Sequence, residues 1–320
     1  MKIIEQLNKL PINKGEYLVL PNIDTPFFII PMTSKRAFQK AISFIKPKNK
    51  YGWLKKFVLG YLPFVLIRFF FPTIKIATKI TNVTTRLILP WNQDFNNKFV
   101  IFNLGEKPSL IKIGFNNASK LIQNEHKVIT EYFNDNEIFP KVINYQLNEE
   151  YSILETAFYK GNHPKILPQT IIEFFNSKYN DCKSVSFKDH PYVKKMMNLI
   201  FEKLNNNKDT LRWLSEYVSK FKDEQIFISL MHGDCTLTNI IVENNNIKLI
   251  DWEECIEDGI PIDITYFNFR KQIDDNEKWE IKEVIDFLVV LHYIYFQCRY
   301  NNILRVNSIV LAQEFVSIEK

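Results

Sequence analysis

Residues 229–253 read SLMHGDCTLTNIIVENNNIKLIDWE, and this stretch decides the fold. Two apolar runs, NIIV (239–242) and IKLI (247–250), flank the Asn-rich segment 243–246, the pattern of a β-hairpin closed by turn-forming residues. The hairpin sets His232-Gly233-Asp234 just ahead of its first strand and Asp251 at the end of its second. Two carboxylates and the Asn239 carboxamide are thereby brought to one edge of a small, locally specified element.

The interval from Asp234 to Asn239 matches a kinase catalytic loop, in which the Asp accepts a hydroxyl proton and the Asn binds magnesium. Asp251 falls where a second magnesium ligand is needed to bridge nucleotide phosphates. Phosphoryl transfer asks a protein chiefly for positioning and charge neutralisation, and hard oxygen ligands on Mg²⁺ supply the latter. His-Gly-Asp, four residues, Asn, then a hydrophobic strand ending in Asp-Trp-Glu resembles the aminoglycoside phosphotransferase and choline kinase group. That group is the small-molecule branch of the protein-kinase-like fold. The resemblance implies an α+β, two-lobed chain with a β-rich N-lobe and a mostly helical C-lobe. Here the lobes would span residues 84–157 and 158–320, with residues 1–83 as an extra basic and apolar segment in front.

The chain upstream of the hairpin fits this expectation. RLILP (86–90), KFVIF (98–102) and SLIKI (109–113) read as strands, 117–134 as a helix, and 140–146 and 151–157 as further strands. On the resemblance, Lys112 would contact the α/β-phosphates and Glu125 would pair with it, with Glu131 on the same helix as the other candidate; taken alone, Lys112 reads as an exposed strand lysine. Residues 154–158 (LETAF) would form the hinge, where backbone groups near Glu155 and Ala157 hold the base of ATP or GTP. Asp263 would hold the catalytic loop. The segment 89–98 lacks the glycines with which many kinases close a loop over phosphates. Only nine residues separate Asp251 from Pro261, and no Ala-Pro-Glu follows, which leaves no room for a peptide-cradling activation segment. The acceptor implied is a small hydroxylated molecule: a sugar, an amino sugar or an amino alcohol. An acidic rim (Glu253, Glu254, Glu257, Asp258) would favour an amine, unless it is simply a solvated loop. A catalytically silent, kinase-like binding module is the alternative reading.

Composition sets the outer limits. With 320 residues, 46% hydrophobic and 24% charged, the chain can bury a sizeable core and is not a disordered protein. Four cysteines without paired spacing suggest neither a disulfide framework nor a zinc site, and the charged N-terminus does not read as a signal peptide. A reduced, cytoplasmic setting is the expectation. Between Thr25 and Gln93 there is no Asp or Glu, yet the stretch holds twelve Lys and Arg within the net charge of +5. Its apolar run FVLGYLPFVLIRFFFP (57–72) is too short to span a bilayer. Burial against the lobe behind it, or contact with an anionic membrane at the inner face, are its two readings. No nucleic-acid recognition motif accompanies the basic residues.

Overall fold

The computed structural model describes residues 2–9, 14–21, 26–45, 56, 59–76, 86–92, 97–133, 136–179, 182–205, 207–244, 246–275, 277–300 and 316–317. The basic turn at 46–50, the start of the apolar run and the tip of the glycine-free hairpin at 93–96 lie outside them. The chain forms two compact units: residues 1–122 with 141–158, and residues 123–140 with 159–320.

The first unit is built on one antiparallel sheet. Its strands are β1 (Gly15–Leu20), β2 (Phe28–Pro31), β3 (Thr73–Ile76), β4 (Arg86–Asn92), β5 (Asn97–Asn103), β6 (Ser109–Phe115), β7 (Val142–Leu147) and β8 (Tyr151–Ala157), in the order β3-β1-β2-β4-β5-β6-β8-β7. Alternation decides the faces, because successive strand residues point to opposite sides. Tyr17, Val19, Ile29, Ile88 and Phe99 join one buried cluster with Leu7 of α1 (Lys2–Lys9), while Leu18, Ile30 and Leu87 join the other. Phe38, Ala41 and Ile42 of α2 (Lys35–Phe44) and Ile67 of α3 (Phe64–Phe70) complete the second cluster. Ser34 caps α2, its hydroxyl accepting from the Ala37 amide at 3.1 Å. Pro63 stands at the N-cap of α3, where its missing N–H costs nothing. The boundary expected at residue 83 does not separate compact units: β1–β3 are strands of the same sheet as β4–β8.

The second unit is mostly helical. Helix α4 (Asn117–Lys127) crosses into it and continues as a π-helical turn, Val128–Tyr132. The helices α5 (Gln169–Tyr179), α6 (Pro191–Lys203), α7 (Lys208–Phe221), α8 (Asp263–Asp274) and α9 (Val284–Arg299) follow. Helix α9 is apolar nearly all round, and Phe287–Tyr295 are buried throughout, as such a helix requires. The paired strands β9 (Ser184–Ser186) and β10 (Gln225–Phe227) lead to the segment singled out above. No helix among the described residues is long and apolar enough to cross a membrane.

Candidate active site

Strand β11 (Ser229–Met231) runs into His232-Gly233-Asp234 and a 3-10 turn, Leu237–Asn239. The hairpin follows as β12 (Ile240–Glu243) and β13 (Asn246–Leu249), in register from Ile240↔Leu249 to Glu243↔Asn246. Asp251 and a second 3-10 turn, Trp252–Glu254, come next, and β14 (Ile256–Gly259) returns to pair with β11. The Ile250 amide donates to the Asn239 carbonyl at 2.9 Å, tying the two ends of the hairpin together. Trp252 seals the base, donating from its indole to the Leu249 carbonyl at 2.9 Å and packing on Phe139 and His232.

The loop of residues 232–239 is held by buried polar groups. Asp263, in the first turn of α8, accepts from the His232 and Gly233 amides at 3.1 and 3.4 Å. The Asp234 amide donates to His232 Nδ1 at 3.2 Å, so that nitrogen is the acceptor and Nε2 donates to the Ile250 carbonyl at 3.0 Å. His292 of α9 works the same way: Nε2 donates to the Gly233 carbonyl at 2.7 Å and Nδ1 accepts from the Tyr192 hydroxyl at 2.8 Å. Burial pushes His292 down to about 4, which keeps it neutral for this role. Gly233 has φ +85°, and a Cβ there would lie 2.2 Å from the Glu254 carbonyl oxygen, so only glycine fits.

Asp234 is the group this scaffold presents. Its Oδ2 accepts from Asn239 Nδ2 at 3.0 Å, and the same nitrogen donates to the Asp234 carbonyl at 2.8 Å. Burial, and then the neighbouring charge of Asp251, raise its carboxyl to about 7, while the guanidinium of Arg270 and the Asn239 hydrogen bond pull the other way. Arg270 lies on α8 against the rings of Tyr266 and Tyr293, and its Nε is buried without a hydrogen-bond partner among the described residues. Cys235 is fully buried and its thiol is pushed well up by that burial, the state of a packing residue and not of a nucleophile.

Oxygens of Glu125, Asp251 and Glu253 all lie within 4.8 Å of one another. Three carboxylates so placed suit a hard divalent cation such as Mg²⁺. Asp251 adopts a left-handed conformation (φ 66°, ψ 53°), which Asp tolerates better than most residues. Asn124, beside Glu125 on α4, donates to the Glu253 and Cys255 carbonyls at 3.2 and 2.8 Å and fixes that loop. Lys127 pairs with Glu257. Asn124, Arg270 and His292 escaped sequence reasoning because each acts across a long sequence gap with no motif of its own.

The acidic rim expected after Asp251 is largely taken up. Glu253 and Glu254 are buried, Glu254 is engaged by Arg299 and Tyr300, and Glu257 by Lys127. In the first unit, Lys112 sits mid-strand in β6 opposite Val100 and Leu154, and is buried. Glu155 accepts from the Ser109 hydroxyl at 2.5 Å, and the Ala157 amide donates to the Lys141 carbonyl at 2.8 Å, so that amide is committed to the sheet.

No family model matches the sequence, and no curated protein matches it. Among solved structures, the chain is similar to a thermostable mutant of aminoglycoside phosphotransferase APH(4)-Ia in complex with ADP and hygromycin B. The identity is 11%, covering 71% of this chain and 90% of that one, with a TM-score of 0.42. It is also similar to macrolide 2'-phosphotransferase type I, at 10% identity over 75% and 93% of the chains and a TM-score of 0.45. A third likeness is to an amicoumacin kinase bound to AMP-PNP and Ca²⁺, at 11% identity over 71% and 86% and a TM-score of 0.45.

Proposed function

We propose that this chain is a phosphotransferase that moves the γ-phosphate of ATP or GTP to a hydroxyl of a small molecule. The observation that carries this reading is the Asp234–Asn239 pair, hydrogen-bonded at 3.0 Å on a loop immobilised by Asp263 and His292. The carboxylates of Asp251, Glu125 and Glu253 gather where the same hairpin ends. Asp234 is the base: it orients the acceptor O–H and takes its proton as the oxygen bonds to the γ-phosphorus and the bridge to the nucleoside diphosphate breaks. Asn239 and Asp251 would hold the metal, with Glu125 and Glu253 completing an oxygen set that would suit Mg²⁺. When bound, the ion neutralises charge on the phosphates. Lys112 serves as a phosphate contact, and the strand end at Glu155 and Ala157 as the hinge beside the base.

A small acceptor is favoured because β14 and α8 follow Asp251 directly, leaving no activation segment. With Glu254 and Glu257 already paired, the acidic rim offers little preference for an amine over a neutral sugar. The test is a screen of small hydroxylated metabolites with Mg²⁺-dependent nucleotide consumption as readout. Asp234→Ala should abolish turnover on the acceptor so found while nucleotide still binds; wild-type turnover in that variant would remove Asp234 from its role. Nucleotide binding with no turnover on any acceptor would turn the reading to a silent binding module.

A further inference from the structure

Helix α3 leaves three large apolar side chains in solvent. Leu66, Phe69 and Phe70 are 40%, 79% and 70% exposed, and Tyr61, just before Pro63, is 77% exposed. Spacings of three and four residues put Leu66, Phe69 and Phe70 on one helix face. Ile67, 1% exposed, holds the helix to the cluster of Phe38, Ala41 and Ile42 on α2, so the outward direction of the aromatics is fixed by packing. Two adjacent phenylalanines this exposed are far from the scattered single apolar residues of an ordinary surface.

The sequence segment that carries this face is basic. Residues 25–93 contain twelve bases and no acid. Of these, Lys35 and Arg36 begin α2, and Lys75 lies on the edge strand β3, opposite Glu16 of β1 and five residues beyond Phe70; all three are exposed. Arg68 is spent on Glu16 of β1, at 3.0 Å, and Glu16 also accepts from the Thr73 hydroxyl. Exposed aromatics in a segment whose own charges are all basic match an occupant that is apolar and polyanionic together. A bilayer interface bearing anionic lipid is both: the rings enter the headgroup–acyl boundary and the bases meet the phosphates. We propose that the α3 face docks peripherally on an anionic membrane surface, with Tyr61, Leu66, Phe69 and Phe70 inserted and Lys35, Arg36 and Lys75 over the headgroups. This inference stands independently of the phosphotransfer reading.

The experiment is co-sedimentation of the full chain with phosphatidylcholine vesicles, with and without about 30 mol% phosphatidylglycerol, at about 50 and 500 mM salt. Wild type should bind the anionic vesicles at low salt and lose at least tenfold in affinity on neutral vesicles or at high salt. Phe69→Ser with Phe70→Ser should lose at least tenfold on anionic vesicles while its thermal midpoint stays unchanged. Lys35→Glu with Arg36→Glu should weaken binding and flatten the salt dependence. No binding of wild type to anionic vesicles at low salt, or equal binding by the serine double variant, would overturn the proposal. So would a lipid-free dimer that the serine variant abolishes, because a second copy would then own the face.

Discussion

Gly233→Ala is the sharpest probe of the loop that carries Asp234. The added Cβ would stand 2.2 Å from the Glu254 carbonyl oxygen and 3.0 Å from its carbonyl carbon, both backbone atoms. Relief to ordinary contact needs a shift of more than about 1 Å, a misplacement that can cost about a hundredfold in rate. The loop cannot yield freely, because the Gly233 amide is held by Asp263 and its carbonyl by His292. A φ of +85° adds about 1–2 kcal/mol for a residue with a Cβ. Overpacking adds about 1–3 kcal/mol more, for a total of about 2–5 kcal/mol. The displaced carbonyl belongs to the turn that carries Glu253 and follows Asp251, so Mg²⁺-dependent nucleotide binding should fall with stability. Urea unfolding and nucleotide titration, each run beside Gly60→Ala, provide the assay. Gly60 is helical with nothing within 4 Å of its Cβ position, so alanine there should be neutral or stabilise by up to about 1 kcal/mol. Equal urea midpoints and equal nucleotide affinity for the two variants would refute the locked loop.

Turnover should rise with pH through about 7, where Asp234 ionises, and Arg270→Met should move that limb to higher pH; a pH–rate profile checks both. The folded carboxyl stays protonated to higher pH than the unfolded one. Asp234 therefore contributes stability below the ordinary carboxylate range that is lost as pH rises toward about 7, a loss visible in metal-free urea midpoints. Arg299→Met leaves the buried Glu254 carboxyl without its cation and should destabilise by about 3–5 kcal/mol in urea unfolding. Lys112→Met should weaken nucleotide binding or turnover at least tenfold, about 1.4 kcal/mol, by titration and steady-state kinetics.

Local spacing already determined much of this molecule. The hairpin of residues 239–250, with Asp234 ahead of it and Asp251 behind, follows from two apolar runs and an Asn-rich turn, and Asn244 does take positive φ there. Strands β4–β8 fall within about two residues of the strands that alternation predicted, since period is a property of neighbouring residues. What acts across long loops was decided by the tertiary structure alone. Strands β1–β3 complete a sheet with segments read as a separate lobe, because a strand's sequence does not name its partner. Asn124 reaches carbonyls 129 and 131 residues away, and Arg299 neutralises a glutamate that sequence had placed on an open rim. The exposure of Phe69 and Phe70 belongs to the same class. The apolar run 57–72 carried two readings from sequence, buried or interfacial, and only the packing of Ile67 turned Phe69 and Phe70 outward.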